Sequence, residues 1–165
     1  GPDSYVLPAW AHFLLSQRRF DAVIELQRHY LDHPDLLLRA AIAARATHSA
    51  DADVLVERLR SRYAAHQRRG DFTPSRDYAR FLLEVERNAP AALDAALINW
   101  RTQREPSDAQ IVLDAAIASG RIHAAAPVIE LVRRNRLEDV RLEKLITIGE
   151  RTGSSSMAST AELAL

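Results

Sequence analysis

Short turn signals divide this chain into helix pairs of nearly constant length, and that spacing constrains the fold more than any single motif. The turns fall near Arg18, Ser49, Arg87, Gly120 and Gly153, so successive intervals are 31, 38, 33 and 33 residues. Between them, apolar residues recur at three- and four-residue steps; sustained two-residue alternation and Asn-Gly or Asp-Gly hairpins are missing. The pattern predicts an all-α protein built from hairpins.

The spacing predicts a first helix from Pro8 to about Ser16, with Trp10, Phe13 and Leu14 on one face, and a second from Phe20 to Leu31. Pro34 disfavours helical geometry at His33 and separates this pair from an alanine-rich helix over Asp35–Thr47. A longer helix, Asp51 to Arg69, stops at Gly70, and a fifth over Ser75–Glu86 aligns Tyr78, Phe81, Leu82 and Val85. Then follow Pro90–Arg104, a helix capped by Ser107 or Asp108 and ending at Ser119, Ile122–Arg134, and Glu138–Thr152. Ala92, Ala125 and Ala158 stand 33 residues apart, as small residues do where helices cross closely. Gly153 and Ala158 thus repeat Gly120 and Ala125, which predicts a turn at Gly153 and a short last helix over Met157–Leu163; a flexible tail is the rival reading.

The 165 residues carry 22 basic and 22 acidic side chains, so no global charge favours nucleic acid or an anionic membrane. Cysteine is absent, which excludes disulfides and thiolate chemistry, and no apolar run reaches the roughly 20 residues of a membrane span. Lys144 is the only lysine among many arginines, a composition typical of GC-rich bacterial genomes. The N-terminal residues lack the basic and apolar regions of a signal peptide, but Gly1 and Pro2 read as the scar of a cleaved tag, so a natural leader could have been cut away and the compartment is left open between bacterial cytoplasm and periplasm. Residues 3–152 read as one helical-repeat domain and 153–165 as its final helix or tail.

A helix pair of about 34 residues with this distribution of large and small positions resembles the tetratricopeptide repeat family. The resemblance is clearest over Ser107–Arg136, where Val112, Leu113, Ala116, Gly120, Ala125 and Ile129 fall near the family's positions. Elsewhere the repeats are degenerate, with Arg18 and Arg87 where glycine is usual. The resemblance implies a right-handed α-α superhelix, a solenoid of about 4.5–5 stacked antiparallel hairpins, whose first helices line a concave groove. It also implies a non-enzymatic scaffold, without cofactor, that binds another protein's peptide or helix in an assembly, secretion or envelope system. Groove positions carried over from the family are Tyr5, His12, Arg45, Asp77, Glu84, Gln110, Asp114, Glu143 and Thr147. The later ones are mainly acidic and fit a basic partner segment. The alternatives are an oligomerisation module, homodimeric through its terminal helices, and an accessory helical domain of a larger protein.

Other constellations are weaker. His29 and His33, four residues apart and near Asp32, would share a helix face able to meet a metal, but two histidines at a helix end more often complement its dipole. Trp10 and Trp100 fit interhelical core better than a ligand platform. Arginines at 58, 60, 62, 68, 69, 133, 134 and 136 fall on second helices, where a solvated face is the default and an acidic partner the functional reading. There is no phosphate-binding glycine loop, nucleophile elbow or His-Glu-x-x-His motif.

Overall fold

A computed structural model describes residues 3–31, 33–70, 72–134 and 140–162, with side chains described for 6–31, 33, 35–70, 72–134 and 140–153. The described residues form helices and no strands, in accord with the sequence periodicity. No described helix is long and apolar enough to cross a membrane. Two compact units divide the chain, Gly1–Phe72 and Thr73–Leu165.

The first unit contains α1 (Asp3–Ser16), α2 (Phe20–His29), α3 (Pro34–Ala46) and α4 (Ala52–Arg68). α3 touches the other three, and α1 also packs on α2. That central position follows from composition: Leu36, Leu37, Leu38 and Ile42 supply bulk, while Ala40, Ala41, Ala43 and Ala44 let neighbouring backbones approach. Each leucine or isoleucine buried here contributes about 1.5–3 kcal/mol relative to exposure.

Two expectations are corrected in this unit. α1 begins at Asp3, so Pro8 lies inside it and removes one helical hydrogen bond instead of opening the helix. α1 also buries Ala11 and Leu14, not the larger Trp10 and Phe13, which stay 47% and 48% exposed and stack on each other with ring centroids 5.4 Å apart.

The second unit opens with α5 (Arg76–Arg80), which widens without a break into a π-helical turn, Phe81–Val85. α6 (Ala89–Trp100), α7 (Pro106–Ala118), a 3-10 turn (Ile122–Ala125) leading into α8 (Ala126–Arg134), and α9 (Val140–Glu162) follow. Here α7 is central: it packs against α5, α6, α8 and α9 and buries Ile111, Val112, Leu113, Ala115 and Ala116. Trp100 joins this core. The hydroxyl of Ser75 and the side-chain carbonyl of Asn88 accept the Tyr78 and Ala91 N–H groups at 3.2 Å, starting α5 and α6.

The boundaries differ from the sequence reading in three places. α6 ends at Trp100, before Arg104, because the N–H groups of Thr102 and Gln103 both close on the Asn99 carbonyl. α7 is capped by Glu105, with Pro106 in the first turn and Asp108 two residues further on. Gly153 makes no turn: α9 continues through it to Glu162. Gly149 and Gly153 are instead where α9 meets Ile122, since a Cβ at either would lie 2.4 or 2.8 Å from that side chain. Glu138 and Leu163 lie outside the described residues.

Four helix turns share one geometry. Arg18, His48, Arg87 and Gly120 have φ of 56°, 53°, 56° and 67°, the left-handed conformation that terminates a helix. In three of them the next residue donates to the carbonyl five positions back: Arg19 to Leu14, Ser49 to Ala44, and Arg121 to Ala116, each at 2.9 Å. At Arg87 the corresponding bond runs six back, from Asn88 to Leu82 at 2.9 Å, because the π-helical turn holds one extra residue.

Candidate functional site

The site begins with what fixes α5 against α7. Asp108 is buried in the first turn of α7, and its carboxylate accepts from the Glu105 backbone N–H at 3.0 Å and the Asn99 carboxamide at 2.9 Å. Arg76, at the start of α5, reaches across to Asp108 at 3.3 Å and Glu105 at 3.1 Å, and also donates to the Ser107 hydroxyl. A buried carboxylate satisfied from three elements is a strong local clamp.

One turn further along α5 and nearly two along α7 lies a second charged cluster. Arg80 and Glu84 pair at 3.0 Å on the α5 side, both partly buried. Asp114 of α7 faces them: burial, with the Glu84 carboxylate adding, pushes its carboxyl up to about 6, against the pull of Arg80 and a hydrogen bond donated by the Gln110 side chain. Two carboxylates thus share one arginine in a partly dehydrated surface. Chemically, this arrangement favours either a proton or an incoming cation.

Glu84, Gln110 and Asp114, all carried over as groove positions, are therefore brought together. Asp77 is partly buried on α5, about two turns before Glu84. Glu143 and Thr147 are exposed on α9, where the Thr147 hydroxyl donates to the Glu143 carbonyl at 2.9 Å. In the first unit, His12 is exposed on α1, and Arg45 of α3 lies 4.0 Å from Asp53. The Tyr5 side chain lies outside the described residues. Arg80 was missed by sequence reasoning, although its four-residue spacing from Glu84 is the signal that would have found it.

The shared helical face expected for His29 and His33 is corrected. α2 stops at His29, whose Nδ1 lies 3.0 Å from the Glu25 carbonyl, while His33 caps α3 in extended geometry imposed by Pro34. Asp32 lies outside the described residues, and among those described no three His, Asp or Glu side chains are grouped as metal ligands. On α8, Arg134 pairs with Glu130, and Arg133 with Glu150 of α9 at 3.1 Å.

Comparison with family models, curated proteins and solved structures gave no match.

Proposed function

We propose that this chain is a non-enzymatic protein-interaction scaffold of the tetratricopeptide repeat type, a right-handed solenoid whose first helices receive a basic or amine-bearing segment of a partner. The observation that carries this reading is the Glu84–Asp114 carboxylate pair, contributed by successive first helices and shared by a single arginine, Arg80. A lysine or arginine from a partner would supply the missing positive charge where partial burial strengthens the attraction. The side-by-side packing of α5 with α7 and of α7 with α9, with α6 behind the first pair, supports the same reading.

Affinity capture from the native organism, read by mass spectrometry, tests it. Partners retained by the wild-type chain should be lost from a variant with Asp77, Glu84 and Asp114 replaced by alanine; identical capture would sink the proposal. A second reading, self-association through α1, is favoured by the exposure of Val6, Trp10 and Phe13 along one side of that helix. Light scattering of the wild type and Trp10→Ser separates it: a dimer that the substitution dissolves supports self-association.

A further inference from the structure

The Asp108 clamp joins α5 and α6 to the start of α7 without any help from Asp114. Arg80 and Glu84 likewise satisfy each other at 3.0 Å, four residues apart along α5 and its π-helical turn. Asp114 is the surplus member of the cluster. It is partly buried beside a carboxylate whose arginine is already engaged, and on its own helix it is relieved by the Gln110 side chain. Ionised, it leaves one uncompensated negative charge in a partly dehydrated surface; protonated, it leaves none.

Among the described residues, the other charged groups on elements packed against α7 do not enter that balance. On α5, Arg76 serves the Asp108 clamp and Asp77 stands about two turns before Glu84. Asp94 of α6 pairs with Arg121, while on α8 Glu130 pairs with Arg134 and Arg133 with Glu150 of α9. Arg141, Glu143, Lys144 and Arg151 of α9 are exposed, as is His123 of the 3-10 turn, the one histidine in the sequence of this unit. Asp114 is therefore addressed by Arg80 and Glu84 across the helix pair and by Gln110 along α7.

We propose that a cationic side chain of the partner and a proton compete for Asp114, so that the basic segment is held at neutral pH and released as its surroundings turn mildly acidic. The inference rests on the reading of this face as the receptor of a basic segment, and adds the condition under which it lets go. An ammonium or guanidinium entering beside Glu84 and Asp114 meets two carboxylates and one arginine only after the Asp114 proton has passed to solvent. With that proton in place the cation would lose water beside a neutral acid, with Arg80 repelling it and Glu84 already paired. The exchange falls in a useful range because burial and the Glu84 charge hold the Asp114 carboxyl at about 6, whereas an ordinary aspartate stays ionised throughout mild acid.

The probe is a peptide drawn from a random library free of Asp, Glu and His, selected on the full chain near pH 7.5 and counter-selected on Glu84→Gln/Asp114→Asn. Enriched peptides should carry lysine or arginine. Their affinity should be about tenfold weaker at pH 5, where roughly nine-tenths of Asp114 holds its proton, than at pH 7.5. Calorimetry at pH 6 in two buffers of different ionisation heat should show about half a proton released per peptide bound. Asp114→Asn should bind weakly and equally at both pH values, and His123→Gln should keep the wild-type profile; circular dichroism reports whether each protein keeps its helices. A library that yields nothing basic overturns the scaffold reading and this inference together. A basic peptide bound equally at pH 5 and 7.5, released without a proton, or still pH-dependent on Asp114→Asn leaves the scaffold reading standing and overturns the exchange alone.

Discussion

Asn99 donates its carboxamide N–H to the buried carboxylate of Asp108 across 2.9 Å, tying the last turn of α6 to the first turn of α7. The same carboxylate serves the Glu105 N–H and Arg76, so its removal strands donors on three elements. Asp108→Ala should destabilise the chain by about 2–4 kcal/mol, and Asn99→Ala by about 1–3 kcal/mol. The double variant should cost less than the sum, because both changes break one network. Urea titration of the four proteins measures this directly; additive losses would remove Asp108 from its central role.

The left-handed turns predict opposite signs at two equivalent positions. Arg87 has a side chain in a conformation that costs an L-residue about 1–2 kcal/mol, partly offset in glycine by its greater unfolded freedom. Arg87→Gly should therefore raise stability by up to about 1 kcal/mol. Gly120→Ala should lower it by about 1 kcal/mol through the backbone alone, since an added Cβ meets nothing within 4 Å. Thermal unfolding distinguishes the two; a loss at both sites would contradict the assignment.

Gly149 makes a different prediction, because its neighbour and not its backbone forbids a side chain. Gly149→Ala should destabilise by about 1–2 kcal/mol as Ile122 is displaced. On an Ile122→Ala background most of that cost should disappear, leaving the closer fit against Ile117, 3.2 Å from the added Cβ, to offset the ordinary gain of alanine over glycine inside a helix. A cycle of these variants shows no coupling if α9 does not press on Ile122.

Asp114 predicts the pH dependence. Its folded carboxyl is raised to about 6 from an ordinary 3.8, so the native state holds the proton more tightly than the unfolded chain. The resulting stability is fully present below about pH 4 and is lost as pH rises through 6, a change of about 3 kcal/mol. Asp114→Asn should flatten the stability profile between pH 4 and 7, and Glu84→Gln should lower the Asp114 midpoint. Carboxyl-carbon NMR titration reads that midpoint; a value near 4 would refute the shared-carboxylate geometry.

Much of the helical layout was legible because burial and periodicity agree in α7, where Ile111, Val112, Ala115 and Ala116 all point inward. α1 misled because it carries two apolar faces: periodicity favours the bulk of Trp10 and Phe13, while the core takes the smaller Ala11 with Leu14. Gly153 misled for a different reason. A glycine can end a helix or let another element approach it closely, and only the position of Ile122 decides between them. Within the candidate site, the acidic groups were named only through the groove positions that the family resemblance implies, and the π-helical turn presenting Glu84 has no residue signature in Phe81–Val85.

That turn also has a consequence for registration. A residue accommodated as a π-helical bulge shifts the numbering without dissolving the hairpin, so α5 is one position out of phase with any ruler laid along the other turns. Removing one residue from Phe81–Val85 would let the Arg87 turn close on a five-residue span and leave the upstream phase nearly unchanged, because four α-helical residues at about 100° each sweep nearly the same angle as five in the wider π-helical turn. Arg76 would then keep its line to Asp108. The bulge absorbs one residue while the helix still ends in the common turn and begins facing its own neighbour.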